Sequence, residues 1–116
     1  MSEEAAATLL TLDIDRAGDV GVVRCHGKLV ASVTDVLYSK VRQLIPDSKR
    51  IVLDLTDLTH MDSMGLGTVV RLYVSARSSG CDLKLINLGP RIRHLLSLSN
   101  LLSLFATVEE YNAPIH

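Results

Sequence analysis

The chain contains 116 residues, 47% of them apolar and 22% charged, a composition that excludes an intrinsically disordered protein. A formal net charge of -1 leaves no basic field for nucleic acid or for an acidic membrane surface. No apolar run reaches the roughly 18 residues that a transmembrane helix needs, and glutamates open the chain where a signal peptide carries basic residues. We expect a cytoplasmic protein that binds neither nucleic acid nor membrane, with residues 1–116 forming one domain and an ordered core of about 7–110.

The two cysteines, Cys25 and Cys81, are too few and too far apart for a zinc ribbon. In a cytoplasmic protein they stay reduced, and we interpret both as small apolar residues in or beside strands. The sequence predicts no metal site and no cofactor.

Two strand-like runs, residues 8–15 and 21–27, are joined by a Gly-Asp turn and predict a β-hairpin. Ser32 and Asp35 have the spacing of a capping box, which predicts a helix start. Apolar residues then recur at helical period until Pro46 ends the helix.

Residues 50–55 form a short, nearly continuous apolar run, which is typical of a strand covered on both faces. A helix is predicted from Met64 to the Ser79-Gly80 pair. Apolar residues spaced three and four apart are expected on its inward face: Leu66, Val69, Val70, Tyr73 and Ala76.

Residues 82–88 predict another strand, and Pro90 opens a helix that closes near Asn100. Residues 104–110 predict a last, short strand. Strands that alternate with helices imply parallel neighbours, and the first hairpin adds an antiparallel pair. The predicted fold class is a small α/β domain with a mixed β-sheet and helices packed on it.

The stretch DLTHMDSMGLGTVV, residues 57–70, places His60, Asp62 and Ser63 together, as in a hydrolase triad. A nucleophile elbow needs glycine two residues before and after the serine, and the earlier position is Met61. Triad partners also come from distant parts of a chain. We therefore predict no catalytic residues and no enzyme activity.

Nucleotide binding is disfavoured by the same kind of test. The dinucleotide fingerprint would need a third glycine where Val70 stands after Gly65 and Gly67. A phosphate-binding loop would need serine or threonine after Lys28, and that position is Leu29.

Two interpretations of Ser63 remain. Either Asp62 or Ser63 caps the helix and the glycines permit close packing, or Ser63 accepts a phosphate on a contact surface. Two glycines in the first helical turn cost about 1 kcal/mol each relative to alanine, and Met64 is expected to be exposed, so capping alone does not account for the motif.

The stretch IVLDLTDLTHMDSMGLGTVVRLY resembles the signature of STAS domains, specifically that of the anti-sigma factor antagonists. In that family a strand leads through Asp-Ser-x-Gly-Leu-Gly into a helix, and Asp62, Gly65, Leu66 and Gly67 match the motif. The resemblance implies that Ser63 is phosphorylated by a partner anti-sigma factor, a serine kinase that uses ATP and magnesium. By the same resemblance, the unphosphorylated protein binds the anti-sigma factor and releases a sigma factor for transcription, and a phosphatase resets the phosphorylated form.

Two positions depart from the family. The Gly-x-Leu-Asp pattern of many antagonists is Gly27-Lys28-Leu29-Val30 here, and the residue after the serine is Met64 instead of a small polar residue. Both positions border the expected partner surface.

We expect this surface to comprise the 27–32 loop, the 60–64 loop and the outward face of the following helix, with Thr68 and Arg71. Solvated charges at Lys28 and Arg71, and a hydrogen-bonding loop residue at His60, are the alternative interpretations. The rival function is a STAS module of a lipid transporter or of a stress-signalling scaffold, which needs no phosphate, and we expect a monomer or a weak homodimer. The predicted partner-binding residues are Gly27, Lys28, His60, Asp62, Met64, Gly65, Leu66, Gly67, Thr68 and Arg71.

Overall fold

The computed structural model describes residues 9–101, which form four strands and three α-helices. In chain order these are β1 (Leu10–Ala17), β2 (Val20–Leu29), α1 (Thr34–Leu44), β3 (Arg50–Met61), α2 (Ser63–Ser78), β4 (Asp82–Ile86) and α3 (Pro90–Leu98). Short 3-10 helices precede and follow α1, at Ala31–Val33 and Ile45–Asp47. The strand predicted at 104–110 lies outside the described residues.

The strands form one mixed sheet in the order β1-β2-β3-β4. The first pair is antiparallel and the other two pairs are parallel, which confirms the predicted α/β class. The hairpin turns through Gly18, whose φ of +61° lies in the left-handed region that glycine adopts readily.

Strand β3 is longer than predicted, because it continues beyond residue 55 to Met61. Its second half is largely polar and exposed, so hydrophobicity gave no signal for it. Backbone pairing with β2 nevertheless extends to the end, with Lys28 beside His60 and Leu29 beside Met61. The prediction that His60 lies in a loop is therefore wrong, and so is the prediction that residues 27–29 do.

The predicted capping box of the first helix is also wrong. Ser32 lies inside the 3-10 helix, and α1 begins at Thr34 without a side-chain cap. The acceptor at the start of the 3-10 helix is instead a side chain from a distant part of the chain: the Ala31 N–H donates to Asp62 Oδ2 at 3.0 Å.

The core is almost entirely aliphatic and lies where the central strands meet α1 and α2. Its fully buried large side chains include Leu29, Leu37, Leu53, Leu72 and Leu85. Cys25 and Cys81 are free and buried, as predicted. Burial raises the pKa of the Cys25 thiol to about 12, and burial also raises the pKa of Cys81.

Helix α2 buries Leu66, Val69 and Ala76 as expected, but its inward face is wider than predicted. Leu72 is completely buried and Thr68 is only 4% exposed. The Thr68 hydroxyl donates to the Met64 carbonyl at 3.0 Å, which satisfies it inside the fold. Placing Thr68 on the outward face was therefore wrong.

Charged side chains on the strands pair with one another. Arg24 lies 2.5 Å from Asp15, and His26 Nε2 lies 2.7 Å from Asp13. Partial burial raises the pKa of Asp54, but hydrogen bonds from Thr56 and Asn87 outweigh it, so this pKa lies below its ordinary value.

None of the helices in the described part of the chain has the length and apolarity that a bilayer crossing requires. Among the same residues, no group of three His, Cys, Asp or Glu side chains is placed to bind a metal ion.

Candidate functional site

The two segments expected to form the partner surface meet at one end of the sheet. Because β2 and β3 are parallel and in register there, Lys28 and His60 are direct neighbours, and both are exposed. The chain leaves β3 after Met61 and enters α2 at Ser63, so Asp62 alone makes the connection. We call Lys28, His60 and residues 62–64 the strand-exit surface.

Asp62 stabilises this connection by accepting hydrogen bonds with both of its carboxylate oxygens. Oδ1 accepts from the Gly65 N–H at 2.8 Å, which makes Asp62 the N-cap of α2. Oδ2 accepts from the Ala31 N–H at 3.0 Å, and the Asp62 N–H donates to the Leu29 carbonyl at 3.3 Å. One residue therefore joins the starts of two helical segments to the end of β2.

The two glycines of the motif have different roles. A Cβ at Gly65 would collide with the Leu29 carbonyl oxygen, so only glycine permits the close approach of α2 to β2. A Cβ at Gly67 would meet nothing within 4 Å. Close packing explains Gly65 and leaves Gly67 as an exposed gap in the surface of the helix.

Ser63 is the first residue of α2 and its side chain is exposed. Its hydroxyl makes no hydrogen bond with any residue in 9–101, and the N-cap of α2 is Asp62 instead. Met64 beside it is 60% exposed, as the sequence predicted. The His60 Nδ1 contacts the Thr59 hydroxyl at 3.0 Å, so its hydrogen-bonding partner is a neighbour on β3.

Gly27 has a backbone role at the margin of this surface. Its φ is +106°, and a Cβ there would collide with the Leu9 carbonyl oxygen. The register between β2 and β3 shifts beside it, and the Thr59 hydroxyl donates to its carbonyl at 2.9 Å. Gly27 shapes the end of β2 so that Lys28 can follow as an exposed side chain.

Arg71 is exposed on α2 as expected, but its main contact was not visible in the sequence. Its guanidinium lies over the ring of Tyr38 on α1, with Cζ 4.5 Å from the ring centroid. Arg42, one turn further along α1, donates to the Tyr38 hydroxyl at 2.9 Å. We call Tyr38, Arg42 and Arg71 the arginine–tyrosine cluster.

Comparison with protein families decides what kind of domain presents these residues. The model of the STAS domain matches residues 11–112. The chain belongs to the STAS domain family.

Two curated relatives of this STAS domain are antagonists of anti-sigma factors. The anti-sigma F factor antagonist of Paenibacillus polymyxa is 27% identical over 107 residues, which cover 90% of this chain and 92% of the relative. The anti-sigma-B factor antagonist of Bacillus subtilis (strain 168) is 30% identical over 79 residues, which cover 68% of this chain and 72% of the relative.

Solved structures with the same fold include the anti-sigma factor antagonist SpoIIAA, the Bacillus cell fate determinant. In its unphosphorylated form it matches this STAS domain with a TM-score of 0.69 and 21% identity, covering 78% of this chain and 82% of SpoIIAA. In its phosphorylated form the TM-score is 0.66 at 21% identity, with 78% and 85% covered. At this identity the likeness establishes the fold.

Proposed function

We propose that this STAS domain is an anti-sigma factor antagonist whose binding to an anti-sigma factor is switched by phosphorylation of Ser63. The family and the curated relatives support the antagonist role. The observation that carries the switch is the state of the Ser63 hydroxyl, which is exposed and has no hydrogen bond within the described residues. A kinase can modify this hydroxyl without breaking any hydrogen bond among residues 9–101.

The start of α2 is a suitable place for a phosphate. The first N–H groups of a helix have no carbonyl partner within it, and the helix dipole adds partial positive charge there. A phosphoserine carries about -1.5 to -2 charges at neutral pH, so the helix accommodates the group locally.

The same phosphate would change how the strand-exit surface binds a partner. Unmodified, Ser63 lies beside the exposed and apolar Met64. Burying an unpaired phosphate in an interface, or opposing it to a like charge, costs several kcal/mol. Since about 1.4 kcal/mol is a factor of ten in affinity, one phosphate is enough to weaken binding about 100-fold.

In the proposed cycle the unphosphorylated protein binds a cytoplasmic anti-sigma factor, which frees a sigma factor for transcription. The anti-sigma factor is also a serine kinase that uses ATP and magnesium, so it phosphorylates Ser63 and the complex dissociates. A phosphatase restores the binding form. This chain acts in the cycle as a binding partner and a kinase substrate, as a monomer or weak homodimer.

The first test is phosphorylation by the anti-sigma factor kinases encoded in the source genome, each purified and mixed with this protein and Mg-ATP. We expect one phosphate on Ser63, located by intact mass and peptide mapping. Ser63→Ala should receive none, whereas Ser32→Ala, which removes another exposed serine near Asp62, should be modified like the wild type.

The second test is the affinity of two variants for the kinase that modifies the wild type. We expect Ser63→Ala to bind about as tightly as the unmodified protein and Ser63→Asp to bind at least about tenfold more weakly. Equal affinity of the two variants would remove the electrostatic switch. Absence of phosphate on Ser63, with every kinase and in protein isolated from its own cells, would favour the STAS module that needs no phosphate.

A further inference from the structure

Net charge is distributed unevenly between the strands and the helices. Six of the 12 lysines and arginines lie in α1, α2 and α3, whereas only one of the 13 acids, Asp35, does. Helix α2 contains no acid at all. The chain as a whole is nearly neutral, so this is a local excess of positive charge on the helices.

The cations of the strands and those of the helices also differ in their partners. Three of the five strand cations form ion pairs: Arg24 with Asp15, and Arg50 and Lys84 with Asp82. The other two, Arg16 and Lys28, form none within residues 9–101. Five helical cations form no ion pair with any residue between 9 and 101: Lys40, Arg42, Arg71, Arg77 and Arg91.

Arg71 differs from an ordinary solvated arginine because its position is fixed. The guanidinium is held over the Tyr38 ring at 4.5 Å, and Arg42 contacts the hydroxyl of the same tyrosine. A stacked guanidinium has given up part of its rotamer freedom before binding, yet its N–H groups still point along the plane of the fork. Such a group is prepared to accept a carboxylate in a bidentate geometry.

The arginine–tyrosine cluster is continuous with the strand-exit surface. Ser63, Gly67 and Arg71 recur every four residues and therefore lie along one side of α2. Eight residues of helix span about 12 Å, well within one side of a standard interface. Gly67 between them is exposed and open, so no side chain separates the serine from the arginine.

We infer that the anti-sigma factor presents an acidic patch to this protein, with carboxylates placed against Arg71 and Arg42. This inference rests on the proposed function and adds the chemistry of the partner surface to it. Arg71 lies eight residues after Ser63, so the cluster and the start of α2 are at opposite ends of the contact surface. The ion pairs at the cluster would stabilise the complex, while phosphorylation of Ser63 at the other end would release it.

A second copy of this chain is a poor occupant of the same surface. The acids of the sheet, Asp13, Asp15 and Asp82, are already engaged with His26, Arg24 and Arg50. The helices offer only Asp35. Asp47, which follows α1, is a second exposed acid without an ion pair in residues 9–101. Two such acids are few for a patch that faces both Arg42 and Arg71, so a partner protein that carries several carboxylates is the better occupant.

The test is the affinity of the purified anti-sigma factor kinases of the source genome for charge-reversal variants, measured at about 50 mM and about 500 mM salt. We expect Arg71→Glu and Arg42→Glu each to weaken binding at least about tenfold at low salt. Arg91→Glu changes the net charge equally but lies on α3, outside the cluster, and should leave affinity within about twofold. High salt should weaken the wild type and reduce the difference between it and Arg71→Glu.

Circular dichroism of each variant shows whether the substitution disturbs folding. If Arg71→Glu does, Arg71→Gln replaces it in the binding experiment, because glutamine keeps a polar side chain without the positive charge. Equal losses for Arg71→Glu and Arg91→Glu would overturn the inference, because they would reflect net charge alone. Wild-type binding that Arg71→Glu leaves unchanged would overturn it too, with the proposed function intact. Wild-type protein that binds none of the kinases would defeat both proposals.

A charge reversal in the kinase that restores binding of Arg71→Glu would identify the ion pair directly. An Asp→Arg or Glu→Arg variant in the acidic patch of the kinase should bind Arg71→Glu better than it binds the wild type. If no such reversal of preference occurs at any acid in the kinase's contact region, Arg71 does not contact a carboxylate.

Discussion

The Asp62 carboxylate accepts a hydrogen bond from the backbone of Ala31, 31 residues earlier in the chain, at 3.0 Å. Its other oxygen caps α2 through Gly65 at 2.8 Å. A single side chain therefore fixes the starts of two helical segments relative to each other. The position of Ser63, the next residue, depends on these two hydrogen bonds.

Removing the carboxylate should destabilise the fold measurably. We expect Asp62→Ala to lower the free energy of unfolding by about 2 kcal/mol, because the N-cap and the bond to Ala31 are both lost. Asp62→Asn retains one acceptor oxygen and should lose less. Urea unfolding followed by circular dichroism gives both values. Ser32→Ala is the control, because the Ser32 hydroxyl caps no helix. An unchanged unfolding midpoint for Asp62→Ala would show that the two hydrogen bonds of Asp62 do not stabilise the fold.

The two glycines of the motif offer a matched pair of variants. Gly65→Ala should cost about 2 kcal/mol or more, because the added methyl group meets the Leu29 carbonyl. Gly67→Ala should stabilise the protein by up to about 1 kcal/mol, because it gains helix propensity in open space. Both free energies follow from denaturant unfolding. Equal effects of the two substitutions would show that the close approach to β2 is not needed.

Gly67→Ala also tests the contact surface without a folding defect. If a partner packs into the gap between Ser63 and Arg71, the methyl group should weaken binding although the fold is as stable as before or more so. Titration calorimetry against the anti-sigma factor kinase measures this. Unchanged affinity would place the partner's contact elsewhere.

Acid should remove a stabilising contribution from Asp54. Burial acts to raise its pKa, but the hydrogen bonds from Thr56 and Asn87 leave that pKa below the ordinary value. A group whose pKa is lower in the folded state contributes stability above its unfolded pKa of about 3.9, and this is lost as the pH falls through the folded value. The stability difference between wild type and Asp54→Asn should therefore shrink below about pH 4. Urea unfolding over a pH series would reveal it, and a constant difference would refute it.

Both thiols should be unreactive in the folded protein. Burial raises the pKa of Cys25 to about 12, so Cys25 forms little thiolate at about pH 8, and burial also raises the pKa of Cys81. A thiol reagent such as Ellman's should react with no cysteine in buffer and with both in urea. Rapid reaction of either cysteine in buffer would mean that the core opens locally.

Sequence patterns predicted the parts of the fold in which the spacing of apolar residues and the residues of the turns indicate the same element. The hairpin, the apolar first half of β3 and the start of α2 are of this kind. The polar second half of β3 was missed because its strand character comes from backbone pairing with β2 and not from its own side chains.

The errors at the helices have a related cause. Ser32 has the spacing of a cap, but Asp62 supplies the hydrogen bond from a distant position. The contact between Tyr38 and Arg71 joins two helices, and no periodicity within either one reveals it. Thr68 was predicted on the outward face because apolar residues accounted for the inward one, but Thr68 is buried and its hydroxyl donates to the helix backbone.

Asp62 stabilises the fold whereas the Ser63 side chain does not, and this difference has an evolutionary consequence. Folding constrains the aspartate through two backbone bonds, whereas the serine hydroxyl makes none within the described residues. Mutation at position 63 is therefore nearly free of a stability penalty. In the proposed cycle, a duplicated gene for this domain that loses the hydroxyl in one step encodes a binder that no kinase switches off, and the reverse step restores the switch without loss of the fold.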